Sequence, residues 1–137
     1  LKKRIFMKII LLLGLLSASI FADFIGLTPI QLQQKINKNI VLIDIRTPSE
    51  WKELGTIPTS KKIMFFNTQG KYDIKTWLED FSKFVKNKNQ PFILVCRSGS
   101  RTGMVGQFLS KELKYKNVFH LAHGIKSWIK ENRKVIK

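Results

Sequence analysis

The sequence predicts an α/β fold: one domain with a mainly parallel five-stranded sheet and helices on both faces. Short apolar runs rich in β-branched and aromatic residues recur along the chain, as is typical of buried strands. Segments with apolar residues at helical spacing separate these runs, and parallel neighbouring strands need such crossovers. Residues 23–137 number about 115, which is enough for one domain core and too few for two.

The first part of this domain is predicted to contain two strands and one helix. Residues 24–25 form a short first strand. Thr28 and Pro29 then supply an N-cap and a first-turn proline for a helix that extends to about residue 35. The β-branched run 40–43 predicts a buried second strand.

A short helix, a third strand and a long helix are predicted in the middle of the chain. Ser49 is the expected N-cap of the short helix, which Gly55 ends, and residues 61–65 form the third strand. After a loop at 67–71, apolar residues repeat at helical spacing from 74 to 85. This repeat predicts one long amphipathic helix.

The last part is predicted to contain two strands and two helices. Residues 92–95 and 118–121 are the fourth and fifth strands. The helix between them is expected to bury a face formed by Met104, Val105, Phe108, Leu109 and Leu113. The final helix is expected to face the core with Ile125, Trp128 and Ile129.

The turn after the fourth strand is the strongest candidate for a chemical site. Its sequence is Cys96-Arg97-Ser98-Gly99-Ser100-Arg101. Small residues let the backbone N–H groups converge, and the following helix adds the positive end of its dipole. With Arg97 and Arg101 beside it, such a turn should lower the pKa of the cysteine below its free value of about 8.5. Cys96 is therefore a candidate nucleophile; the alternative is an inert buried cysteine beside a solvated loop.

Three further segments accompany this turn in a characteristic order. They are Asp44-Ile45-Arg46-Thr47-Pro48-Ser49-Glu50-Trp51, Gly55-Thr56-Ile57-Pro58 and Gly124-Ile125-Lys126-Ser127-Trp128. Together with the turn they resemble the signatures of the rhodanese-like sulfurtransferases, in their short single-domain form. The resemblance covers about residues 23 to 134. It implies a rhodanese-like domain over residues 23–137.

The resemblance implies a sulfurtransferase that moves sulfane sulfur from a small anionic donor such as thiosulfate to a thiol or cyanide. Cys96 would be the catalytic residue and would carry the sulfur as a persulfide. The donor and the persulfide would be bound by Arg97, Ser98, Gly99, Ser100 and Arg101. The resemblance implies no metal or organic cofactor.

Two other functions stay open at this stage. One is a non-catalytic persulfide carrier or sensor that receives sulfur from a partner. The other is a relative of arsenate reductases or phosphatases, whose loop is longer by one residue. Four residues lie between Cys96 and Arg101 here, so the shorter loop favours sulfur over a tetrahedral phosphate.

The second segment is expected to support the site. Asp44, Arg46 and Glu50 are interpreted as structural residues, with Arg46 pairing with Glu50 in a charge-assisted bond. His120 and His123 have no second cysteine and no carboxylate at ligand spacing, so no metal site is predicted.

The N-terminal residues 1–22 are interpreted as a signal peptide. Basic residues precede an apolar stretch at 9–16, and small residues follow near Ala22. We therefore expect export to the periplasm, with membrane attachment only if the segment is not cleaved. A lone cysteine in an exported chain cannot form an internal disulfide, which is consistent with a catalytic thiol.

The charge of the chain is strongly positive. It is +16 in total, and the four basic residues of the signal segment leave +12 for residues 23–137. The lysines are scattered and form no basic stripe, so we expect attraction of small anions and no nucleic-acid partner. The sequence leaves the oligomeric state open.

Overall fold

The computed structural model describes residues 24–137, so the predicted signal peptide lies outside the described residues. Five parallel strands form one sheet in the order β1-β5-β4-β2-β3. The strands are β1 (Phe24–Leu27), β2 (Val41–Asp44), β3 (Lys61–Lys62), β4 (Phe92–Val95) and β5 (Val118–Leu121). The predicted fold class is confirmed.

Five α-helices lie within residues 24–137; four connect successive strands and the last follows β5. They are α1 (Pro29–Asn37), α2 (Pro48–Leu54), α3 (Ile74–Phe81), α4 (Ser100–Gln107) and α5 (Gly124–Lys130). A π-helical turn, Phe108–Glu112, continues α4. No helix in this part of the chain is long and apolar enough to cross a membrane.

The core has two halves, one on each face of the sheet. Trp77 and Phe81 of α3 and Val105 of α4 belong to one buried cluster. Leu32 of α1 and Trp128 of α5 belong to the other. All four residues of β4 are fully buried, because this central strand is covered on both faces. The predicted two-sided arrangement is therefore present.

Two predicted elements are shorter than expected. The third strand, at the edge of the sheet, is regular only at Lys61–Lys62, although Ile63 and Phe65 still donate their N–H groups to the carbonyls of Asp44 and Ile45 over 3.0 Å. The long helix predicted for 74–85 ends at Phe81, and Ser82 to Phe84 continue as turns. Val85 is still buried in the same cluster as Phe81, which explains its apolar spacing.

Two predicted side-chain positions were wrong. Thr47, not Ser49, is the N-cap of α2, because Pro48 occupies the first helical position and has no N–H to satisfy. Met104 is 60% exposed instead of buried. The buried residues of this helical region are Thr102, Val105, Gly106, Leu109 and Ser110, which recur at spacings of three and four, and Met104 lies off that face.

The sheet register brings two of the signature segments to one edge. Asp44 at the end of β2 pairs with Val95 at the end of β4. The next residue of the β2 side, Ile45, donates its N–H to the carbonyl of Val95 over 3.0 Å. Cys96 therefore leaves the sheet beside the segment that starts at Asp44, at the carboxyl edge where α/β sheets bind ligands.

Candidate active site

Cys96 lies directly after β4, and its side chain is 0% exposed. The backbone N–H of Gly99 donates to its Sγ over 3.2 Å. The Oγ1 of Thr102 lies 3.5 Å from the same sulfur. A hydrogen bond from a backbone amide stabilises negative charge on sulfur, whereas burial without compensation opposes it. The cysteine sulfur is therefore fully buried and has two hydrogen-bonding groups beside it.

Glycine is required where the turn folds back on the sheet. Gly99, the N-cap of α4, has φ +100°, a left-handed conformation that other residues rarely adopt. A Cβ at Gly99 would collide with the carbonyl oxygen of Ala122, and a Cβ at Gly124 would collide with that of Arg97. The loop after β5 therefore packs directly against the backbone of the cysteine turn.

The start of α5 holds the other end of the turn. The N–H of Ile125 donates to the carbonyl of Cys96 over 2.9 Å, and the N–H of Lys126 donates to that of Arg97 over 3.2 Å. The first N–H groups of a helix have no partner within the helix, so they are free to bind this loop. The conformation of the turn thus depends on a segment close to the C-terminus.

Arg101 is fixed by a carboxylate from another element. Its two terminal nitrogens each donate to one oxygen of Glu50 over 2.7 Å, and both side chains are largely buried. This bidentate bond lowers the pKa of Glu50 to about 2 and raises the pKa of Arg101. The expected ion pair between Arg46 and Glu50 is therefore wrong, because Glu50 pairs with Arg101.

Arg46 pairs instead with Asp44, two residues before it. Both side chains are 0% exposed, and Nη2 of Arg46 lies 2.7 Å from Oδ2 of Asp44. Arg46 also donates to the backbone carbonyls of Gly55, over 2.7 Å, and of Glu50, over 3.4 Å. The pair therefore connects the end of β2 to α2, the helix that carries Glu50, and to Gly55, which ends that helix.

The remaining residues of the turn differ in exposure. Ser98 and Ser100 are exposed, whereas Gly99 is buried. Arg97 is 40% exposed and lies 3.8 Å from the carboxylate of Glu53, which is 61% exposed. Arg97 therefore faces the surface of the site, while Arg101 belongs to its interior.

Two residues of the site were missed by the sequence analysis: Thr102, which contacts the sulfur, and His120, which contacts Thr102. Thr102 is 0% exposed and bonds through Oγ1 to Nδ1 of His120 over 2.8 Å, as well as to the carbonyl of Gly99 over 3.1 Å. Thr102 lies in the first turn of the helix after the cysteine, a position that could have suggested it. His120 lies opposite Leu94 in the sheet, and this register is not visible in the sequence.

Metal binding finds no support among residues 24–137. This part of the chain has no cluster of three or more His, Cys, Asp or Glu side chains placed to hold a metal ion. The two histidines are divided between different environments, since His120 bonds to Thr102 and His123 precedes α5. The chemistry available at the site is that of one thiol among hydrogen-bond donors.

The fold and the turn define a class: α/β proteins with a cysteine in a tight loop between a central parallel strand and a helix. The family model described as a rhodanese-like domain matches residues 28–131. The chain belongs to the rhodanese-like domain family, and the described residues form one such domain.

Several known proteins are similar to this chain. An uncharacterized protein of Rickettsia prowazekii is 27% identical over 106 residues, which are 71% of this chain and 83% of the relative. The crystal structure of a rhodanese-related protein from Thermoplasma volcanium has a TM-score of 0.60 and 25% identity, and covers 81% of this chain and 96% of its own. The polysulfide-sulfur transferase homodimer from Wolinella succinogenes has a TM-score of 0.63 and 21% identity, and covers 87% and 82%. At that identity the last likeness concerns the fold alone.

Proposed function

We propose that this protein is a sulfurtransferase that moves sulfane sulfur from thiosulfate or a similar donor to a thiol or cyanide through Cys96. The observation that carries the proposal is the N–H of Gly99 on Sγ in a short, closed loop. That amide favours negative charge on the cysteine sulfur before Cys96 attacks the donor and again after the outer sulfur has passed to the acceptor. Membership of the rhodanese-like family supports the same chemistry.

The reaction has two displacement steps. The thiolate of Cys96 attacks the outer sulfur of thiosulfate, the S–S bond of the donor breaks, and sulfite leaves with the electron pair. The acceptor thiolate or cyanide then attacks the outer sulfur of the Cys96 persulfide. The bond between the two sulfurs breaks, and Cys96 leaves as a thiolate, so one covalent intermediate links both halves.

The two arginines of the turn take different parts in this scheme. Both terminal nitrogens of Arg101 bond to Glu50, so Arg101 shapes the loop and its charge is largely balanced by that carboxylate. Arg97 has only a loose contact, 3.8 Å, with an exposed carboxylate. We therefore assign attraction of the anionic donor to Arg97, a narrower role for the arginines than the sequence predicted.

The burial of Cys96 supports a second candidate function. A thiol with 0% exposure is closed to free donors until the turn moves. A partner protein that opens the turn could load the sulfur directly, and the domain would then act as a persulfide carrier or sensor. The two functions differ in turnover: an enzyme cycles repeatedly with small donors, whereas a carrier stops after one sulfur.

The experiment that tests the proposal measures loading and turnover together. The purified protein is incubated with thiosulfate, its mass is determined, and sulfite and thiocyanate release are followed with cyanide as acceptor. A mass increase of one sulfur with repeated thiocyanate release supports the enzyme. Loading without repeated release supports the carrier, and absence of a sulfur adduct contradicts the enzyme.

The phosphatase alternative is tested with the same preparation. The turn has four residues between Cys96 and Arg101, and the Gly99 amide points at the sulfur itself. We expect no hydrolysis of aryl phosphates, because the loop has no room for a phosphoryl group in line with the thiolate. Phosphate release faster than sulfite release would replace the sulfurtransferase with a phosphatase.

We also propose export to the periplasm, supported by the basic and apolar character of residues 1–22. The mass of the protein isolated from cell fractions tests this proposal. A periplasmic form that begins near Asp23 is the expected result. A full-length form in the membrane fraction would indicate an uncleaved anchor instead.

A further inference from the structure

A line of three hydrogen-bonding side chains leads from the buried thiol towards the surface. The Oγ1 of Thr102 lies 3.5 Å from the Sγ of Cys96 and 2.8 Å from the Nδ1 of His120. Cys96 and Thr102 are both 0% exposed, whereas His120 is partly exposed. The thiol therefore contacts solvent only indirectly, and the imidazole is the outer end of this line.

The two arginines of the site that are buried or largely buried are each paired with a carboxylate. Arg46 pairs with Asp44 and Arg101 with Glu50, whereas Arg97 is 40% exposed and has only a loose contact, 3.8 Å, with Glu53. Burial of a sulfur anion is unfavourable unless a donor or a cation compensates it. Within the described residues, no carboxylate pairs with His120, so its imidazole is a basic group still available to the sulfur.

The surroundings of His120 favour its neutral form, which is the form that can accept a proton. The ring of Phe24 in β1 packs against it at 4.7 Å between centroids, and a Cβ at Gly26 of the same strand would lie 3.6 Å from Nε2. Burial lowers the pKa of His120, and the charge of nearby His123 lowers it further. His123 is the titratable neighbour that acts on His120 in this part of the chain; Thr102 is the partner from α4.

We propose that Cys96, Thr102 and His120 form a proton relay in which His120 takes the thiol proton through the hydroxyl of Thr102. The thiol proton passes to Oγ1, the hydroxyl proton passes to Nδ1, and the sulfur keeps the electron pair. The products are a thiolate, an intact hydroxyl and an imidazolium, so the net charge is unchanged. Before the transfer the hydroxyl turns from the carbonyl of Gly99 to Nδ1, which lies closer.

The relay rests on the proposed function, because its role is to supply the thiolate that sulfur transfer needs. Thr102 contacts the reacting sulfur, whereas His120 acts through Thr102 and is a positioning residue. When the persulfide gives up its outer sulfur, Cys96 leaves as a thiolate, and the same hydroxyl and imidazolium stabilise it. Thiolate formation can nevertheless be measured without any sulfur donor, so the relay and the enzyme activity are tested by separate measurements.

The first test is a pH titration of the thiolate by its ultraviolet absorbance. Cys96 is the one cysteine of the sequence, so the Cys96→Ser protein gives the blank. In Thr102→Val and in His120→Asn the midpoint of thiolate formation should move to higher pH by roughly one unit. Asparagine can keep a hydrogen bond to Thr102 but cannot take a proton, which separates the relay from a structural role. His123→Asn is the control of opposite sign: it removes a charge that lowers the pKa of His120, so the midpoint should stay at or below its native pH.

The second test measures the coupling between Cys96 and His120 through the titration of the histidine. In the native protein, a thiolate beside the relay stabilises the imidazolium, so His120 should titrate at higher pH in NMR spectra than it does in Cys96→Ala. If the thiolate midpoint is the same in His120→Asn and native protein, or the His120 titration is unchanged in Cys96→Ala, the relay is wrong, whatever the sulfur-transfer assay shows.

Discussion

Glu50 and Arg101 lie 51 residues apart and meet in a bidentate ion pair, with both N···O distances at 2.7 Å. The pair joins α2, which follows β2, to the first turn of α4, which follows the cysteine turn. Two planar charged groups in this geometry lose little freedom per hydrogen bond. The turn around Cys96 is therefore held in place by α2, the helix between β2 and β3, as well as by its own residues.

Glu50→Gln is expected to remove the ion pair with Arg101 and to destabilise the protein by about 1–2 kcal/mol. The pKa of Glu50 is lowered to about 2, so its contribution to stability is fully present above the unfolded value near 4.5 and is lost as pH falls towards 2. Chemical unfolding of both proteins at several pH values measures this difference. The native protein should lose more stability than the variant between about pH 5 and pH 2.

Glu53→Gln is the matched control for this prediction. It removes the same charge from the same helix, but Glu53 is 61% exposed and only 3.8 Å from Arg97. Exposed ion pairs contribute little, so a change below about 0.5 kcal/mol is expected. Equal losses in the two variants would show that the Glu50 to Arg101 geometry has no special role.

Gly99→Ala is expected to cost about 2 kcal/mol or more and to abolish sulfur transfer. Its backbone is left-handed, and a Cβ would collide with the carbonyl of Ala122, so the turn would have to move away from Sγ. Gly103→Ala is the control, because Gly103 lies within α4 and nothing is within 4 Å of its Cβ position. That control should be stabilised by about 0.5–1 kcal/mol and keep its activity. Thermal unfolding and sulfite release measure both variants, and an active Gly99→Ala protein would contradict this view of the turn.

Arg97→Ala should raise the KM for thiosulfate by about two- to fivefold, because an exposed charge contributes modestly. The KM for a neutral sulfane donor should stay near its native value. Lys83→Ala removes one positive charge from a 68% exposed side chain in the turn after α3 and should change neither KM. Added salt should shrink the effect of Arg97→Ala on thiosulfate. Similar increases for both donors would show that Arg97 does not act through its charge.

Cys96→Ser should abolish sulfite release while leaving the domain folded. The serine hydroxyl can still accept the Gly99 N–H and bond to Thr102, but it is not ionised at neutral pH and cannot hold a persulfide. Steady-state assays and circular dichroism test the two halves of this expectation. Turnover above background in a folded variant would remove Cys96 from its proposed role.

Much of the fold could be predicted because it depends on local patterns. The apolar run Phe92–Val95 and the helical stripe after it are visible along the chain, and both are present in the structure. The exceptions are also local in origin. Pro48 moved the cap of α2 from Ser49 to Thr47, and Met104 lies beside the buried stripe and not on it.

The sequence by itself determined the alternation of strands and helices, the position of Cys96 after a buried strand, and the family signatures around it. Only the tertiary structure decided which carboxylate meets which arginine, and that Thr102 lies at the sulfur with His120 bonded to its hydroxyl. The physical reason is that hydrophobic periodicity reports which face of an element is buried. It does not report the register between strands, and that register places His120 of β5 opposite Leu94 and Asp44 of β2 opposite Val95.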